Sequence, residues 1–72
     1  MTNTNKLRGK IVENGLTVPE LAEKIGMDRA TLYRKLSNGA ETMLIKEANA
    51  IISTLGLTPD EAVAIFFSRL VA

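Results

Sequence analysis

The sequence predicts an all-α fold, five short helices packed into one compact domain. Three observations carry that expectation. Apolar residues recur at helical spacing, most completely in Leu44, Ala48, Ile51, Ile52 and Leu55. Capping-box pairs, in which a threonine is followed three residues on by a glutamate, stand at Thr17 with Glu20 and at Thr58 with Glu61. Glycines 15, 26, 39 and 56 fall where the periodic runs stop, as helix-ending residues do. No strand is predicted.

The first helix is expected over about Asn5 to Asn14, with Leu7, Ile11 and Val12 inward and Gly15 as its stop. Gly9 inside it costs about 1 kcal/mol relative to alanine. Thr17 starts the second helix at Val18, and Leu16 before the cap meets Leu21 after it as a hydrophobic staple. Leu21, Ala22 and Ile25 share the buried face of that helix, and Gly26 ends it in the left-handed conformation that a residue without Cβ adopts freely. Asp28 then caps a third helix, about Arg29 to Ser37, with Met27 and Leu32 as its staple, Leu32 and Leu36 inward, and Asn38 and Gly39 closing it. A fourth helix is expected over about Met43 to Leu55, ended by Gly56. The last begins at Thr58, with Pro59 in its first turn and Glu61 completing the box.

Composition bounds what such a chain does. Seventy-two residues make one domain, 1–72, with no linker, repeat or low-complexity segment, and a chain of this size has room for a core but not for a large catalytic cleft. The absence of cysteine and histidine removes disulfides, thiol nucleophiles and the commonest zinc ligands and general bases. No nucleophile and base pair, phosphate loop or metal-ligand spacing is present, so neither an enzyme nor a cofactor is expected. The apolar runs fall far short of the roughly 20 residues a membrane span needs, and the polar start lacks the apolar core of a signal peptide, which predicts a soluble cytoplasmic protein. The net charge is only +1, but it is unevenly placed. Residues 1–40 carry seven basic and four acidic side chains, hence +3, and residues 41–72 two basic and four acidic, hence −2. The basic half contains the second and third helices.

Leu21 and Ala22, Gly26 in the turn, Met27 after it and Leu32 pointing back inside resemble the helix-turn-helix regulators of the phage Cro and repressor type, with the unit at about residues 17–38. The run from Lys46 through Ile51, Ile52, Leu55 to Glu61 and Ile65 to Phe67 is similar to the closing helices of small regulators carried by phages of Gram-positive bacteria, so the likeness covers roughly Leu7 to Phe67. It implies a lambda-repressor-like fold. It also implies that the third helix reads double-stranded operator DNA, in a lysis-lysogeny switch within the bacterial host cell. Arg29, Thr31, Tyr33 and Arg34 are the candidate base readers, since arginine offers a bidentate pair to guanine and threonine a methyl to thymine or a hydroxyl. Tyr33, Lys35 and Asn38 suit backbone contacts, which fix register without reading sequence. The plain alternative for Arg29, Arg34 and Lys35 is a solvated helix face.

Three positions depart from the family pattern. Glutamine usually opens the second helix and bonds a phosphate, whereas this chain has Val18 and Pro19. Asp28 stands where an uncharged serine or threonine is common; it caps well but repels a phosphate. Lys35 occupies a place three residues after Leu32 where an apolar side chain is expected, with Leu36 next in line, which allows a rotated or lengthened third helix.

The final segment holds more apolar residues than one face of a short helix needs, and Phe66 and Phe67 are adjacent. At least one phenylalanine is expected to plug the core beneath the first and fourth helices. The surplus, with Met43, Leu44 and Ile45 in succession, points to an interface through Met43, Ile45, Phe67 and Leu70, either a homodimer seam or a complex with a partner repressor. Two functions follow. One is a Cro-like repressor that binds its operator as a dimer. The other is an antirepressor that docks on a helix-turn-helix repressor and masks its DNA-reading surface.

Overall fold

Five helices follow one another, α1 (Thr4–Glu13), α2 (Val18–Ile25), α3 (Arg29–Ser37), α4 (Ile45–Leu55) and α5 (Pro59–Phe66), in a computed structural model that describes residues 2–67. Among the described residues there is no strand. α2 and α3 occupy the spans their caps predict. Thr17 Oγ1 accepts the Glu20 N–H at 3.3 Å while Glu20 Oε1 accepts the Thr17 N–H at 2.9 Å, so each residue's side chain satisfies the other's backbone donor at the helix start.

α1 begins one residue earlier than expected because Asn3 is its cap, accepting the Lys6 N–H at 3.1 Å. The Asn3 N–H in turn donates to the Ile65 carbonyl at 2.7 Å, which ties the start of the described chain to α5. Val12 is not inward. It is 74 % exposed beside the fully buried Ile11, since one residue along a helix turns the side chain by about 100°.

The start of α4 differs more. Leu44 is its N-cap and not a member of its buried stripe, and a leucine has no oxygen to cap with; Glu47 instead reaches back to accept the Leu44 N–H at 2.8 Å. Leu44 and Ile45 therefore stand 51 % and 78 % exposed. Met43, expected at an interface with Ile45, instead packs against the core, because three consecutive side chains do not share one direction and Met43 takes the inward one.

α2 lies at the centre, packed on both α3 and α4, and α1 lies against α2 and α5. Leu7, Ile11, Leu21, Leu32, Ile51 and Ile65 are fully buried, each contributing on the order of 1.5–3 kcal/mol by leaving water. Ala22 is also buried, where the small side chain lets α2 approach its neighbours closely. Of the adjacent phenylalanines, Phe66 enters the core and Phe67 remains half exposed just beyond the end of α5. Leu70, expected at the interface, lies outside the described residues. Across α1 and α5, the Lys10 ammonium bonds Glu61 directly and Glu13 at 3.2 Å.

Candidate nucleic-acid interface

The outward face of α3 is built from its two ends. At its start, Asp28 Oδ2 accepts the Ala30 N–H at 3.0 Å and the Thr31 N–H at 3.4 Å, so the carboxylate faces its own helix backbone. At its end, the Asn38 N–H returns to the Arg34 carbonyl, and Gly39 and Ala40 both take left-handed backbone, φ 70° and 59°, which folds the chain back beneath the helix. For a buried alanine this conformation is strained by about 1 kcal/mol. Leu32 and Leu36 anchor the inner side.

With that face down, Arg29, Ala30, Tyr33, Arg34 and Ser37 are exposed along the opposite side, joined by spacings of three and four, and Asn38 is exposed at the C-cap. Neither Arg29 nor Arg34 forms an ion pair among the described residues. Four of the six expected contact residues, Arg29, Tyr33, Arg34 and Asn38, therefore present themselves together. The other two do not. Thr31 is half-buried on the flank. Lys35 is turned inward, its side chain 13 % exposed and its ammonium 2.6 Å from Glu47 Oε1 and 3.2 Å from the Thr42 carbonyl. The helix keeps its expected span, Arg29–Ser37, and the lysine stem fills the position where an apolar side chain was expected.

Ala30 and Ser37 belong to the exposed face but were not singled out from the sequence. Ala30 carries no polar group to draw notice, although a methyl there suits the C5-methyl of thymine. Ser37 donates its hydroxyl to the Tyr33 carbonyl at 2.9 Å, a bond along its own helix.

Acidic groups border the start of α3. An open cleft of about 410 Å³ between α2 and the start of α3 is lined by Glu20, Glu23 and Asp28 together with Arg29. At the N-terminus of α2, Pro19 has no N–H and that of Glu20 is bonded to Thr17, so the first turn offers few donors to a phosphate. Glu47 is held below the usual carboxylate range, first by its bond from Lys35 and then by the Leu44 N–H. Glu61 is lowered to about 2, chiefly by Lys10 and secondly by the Thr58 N–H, and Lys10 is raised in return by Glu61 and Glu13.

Two short helices joined by a glycine turn, the second held by two leucines, form a helix-turn-helix unit, and residues 6–67 match the family of Cro/C1-type HTH DNA-binding domains. The chain belongs to this family. Comparison with curated proteins and with solved structures gives no match. As a Cro/C1-type HTH domain the chain is a regulator of transcription that binds double-stranded DNA, in a class of regulators and not of enzymes. Among its described residues no helix is long and apolar enough to cross a membrane, and no cluster of acidic side chains is placed to hold a metal ion.

Proposed function

We propose that this Cro/C1-type domain is a repressor of a phage-type lysis-lysogeny switch, acting in the bacterial cytoplasm on an operator that it reads with the outward face of α3. The observation that carries the reading is that face itself: Arg29, Ala30, Tyr33 and Arg34 lie together, exposed, on a helix anchored by Leu32 and Leu36. Arg29 and Arg34 are the base readers, Ala30 a thymine contact, and Tyr33 and Asn38 the contacts to the sugar-phosphate backbone, with Thr31 at the margin. The domain acts as a homodimer. Its longest dimension is 30 Å, and a two-fold operator spaces its half-sites by about 34–36 Å, so one chain with one reading helix occupies one half-site. Phe67, with Leu70 beyond it, is assigned to the dimer seam.

One observation favours a second reading. Leu44 and Ile45 are exposed side by side at the start of α4, the helix that also contributes Lys46, Glu47 and Ala50 to an open groove of about 350 Å³ shared with Ile25, Gly26 and Met27. An apolar pair of this kind suits a protein partner, as in an antirepressor that masks another helix-turn-helix repressor. Selection of the purified protein against a random duplex pool at near-physiological salt separates the two. Enrichment of a two-fold site is expected; a pool that stays random with folded protein would reject the operator-binding reading and favour the antirepressor.

A further inference from the structure

Two leucines four residues apart fix how deep a helix sits but leave it free to roll about the line that joins them. For α3 that line runs through Leu32 and Leu36, and the bonded side chain that lies off it is Lys35, with Thr31 half-buried on the flank. Its ammonium donates to Glu47 Oε1 at 2.6 Å, and the same oxygen accepts the Leu44 N–H at 2.8 Å. The ammonium also donates to the Thr42 carbonyl at 3.2 Å, while the Lys35 carbonyl accepts the Ala40 N–H at 2.7 Å. Lys35 is thus bonded at both ends to the connection between α3 and α4, and through one carboxylate oxygen to the first turn of α4. Such a linkage stops the roll of the helix whose next-door residue is Arg34.

Resting on the reading of α3 as the DNA-reading helix, the geometry points to Lys35 and Glu47 as a positioning pair: they set the rotation at which Arg29 and Arg34 meet the bases, and Lys35 touches no phosphate. A lysine beside two candidate readers would ordinarily be taken as a phosphate contact, and the two roles differ in sign. If Lys35 were a phosphate contact restrained by Glu47, removing the carboxylate charge would release it and strengthen DNA binding. If the pair positions α3, the same change weakens the preference for the target.

The test uses Lys35→Met, which keeps the buried stem, and Glu47→Gln, which keeps an acceptor for the Leu44 N–H, singly and together. Affinities are measured for the duplex enriched by selection and for a scrambled duplex across a potassium chloride series. Each single variant is expected to lower the ratio of target to scrambled affinity by about fivefold or more, with the double variant no worse than either single one. The slope of log affinity against log salt should stay at the wild-type value in Lys35→Met. A slope shallower by about 0.9 per bound chain in that variant, or a ratio of target to scrambled affinity that Glu47→Gln leaves unchanged or raises, would overturn the proposal. Amide hydrogen exchange keeps the pair testable without DNA: faster exchange at Gly39, Ala40 and Leu44 is expected in both variants, and unchanged exchange would overturn the clamp. If the wild type prefers no duplex at all, the DNA-reading assignment fails by itself, and the exchange result still decides whether the pair holds α3.

Discussion

Replacing Arg34 by lysine separates base reading from charge. Arg34 is exposed, forms no ion pair among the described residues, and sits one helical turn after Ala30 on the outward face of α3. Lysine keeps the positive charge and nearly the same helix propensity but loses the planar fork that pairs with guanine O6 and N7. Such a bidentate pair is worth about 1–3 kcal/mol of discrimination, or roughly 5- to 150-fold in the ratio of target to scrambled affinity. That ratio is expected to collapse by this factor in Arg34→Lys, with the slope of log affinity against log salt unchanged. Arg34→Ala should lose the same discrimination. Neither replacement removes a contact that holds the fold, so stability should stay within about 0.5 kcal/mol of the wild type. Fluorescence anisotropy with labelled duplexes over a salt series, paired with thermal melts, measures all of this. An Arg34→Ala variant that keeps the wild-type preference while its salt slope becomes shallower by about 0.9 per bound chain would show that Arg34 touches a phosphate, and the reading face would then be wrongly placed.

Gly9→Ala and Gly26→Ala add the same methyl to open space, yet only Gly26 has left-handed backbone, φ 72°. The first should stabilise the domain by about 1 kcal/mol, raising the melting temperature by about 4–8 °C, and the second should destabilise it by about 1–2 kcal/mol. Thr58→Ala removes the acceptor for the Glu61 N–H at the start of α5 and should cost about 1 kcal/mol in a thermal melt. Because Glu61 is lowered from 4.5 to about 2, the stability it contributes is complete above pH 4.5 and is lost as pH falls toward 2; melts of the wild type and Lys10→Met should converge over that interval. The partner Lys10, raised above 10.5, contributes below that value and ceases to do so as pH climbs past it. Binding to scrambled duplex should show a salt slope no steeper than about −4.5 per bound chain, since Lys10 and Lys35 are engaged internally and five basic residues of the first half are not; a steeper slope per chain would mean that further cations, including those of the internal ion pairs, reach phosphate.

What the sequence made legible is what local chemistry determines. Thr17, Glu20, Gly26 and Asp28 act on residues within four positions of themselves, and the helices they delimit, α2 and α3, have the predicted bounds. The start of α4 was misplaced because its cap is not a local signal: Leu44 has no capping oxygen, and Glu47 serves as cap and as ion-pair partner to a lysine 12 residues earlier. That same separation hides the ion pair of Lys35 with Glu47 from a reading of the sequence, in which the lysine stands simply as a basic residue of α3. Periodicity placed Leu44 and Val12 inside since it counts spacing and not the angle at which a helix begins or tilts. Between Phe66 and Phe67 the pattern offered no choice, because adjacent residues at a helix end differ only in where the last turn stops.

The way this domain spends its charge constrains how it can bind DNA. Two of the basic residues that give its first half a charge of +3 are engaged internally, Lys10 with Glu13 and Glu61 and Lys35 with Glu47, and the start of the reading helix is bordered by Glu20, Glu23 and Asp28. Attraction to phosphate, which supplies most non-specific affinity, is correspondingly weak. On the proposed reading of α3, a single chain has little to hold it on DNA beyond the contacts of Arg29, Ala30, Tyr33 and Arg34, and useful affinity comes from joining two such faces, where the second half-site is engaged at the high effective concentration that linkage provides. Weak general attraction and strong dependence on pairing reinforce each other: random duplex is released quickly, and a site with only one good half is poorly held. In the dimer proposed above, the apolar side chain left exposed at Phe67 serves DNA recognition alongside the arginines, because pairing of two chains raises the affinity of the reading face.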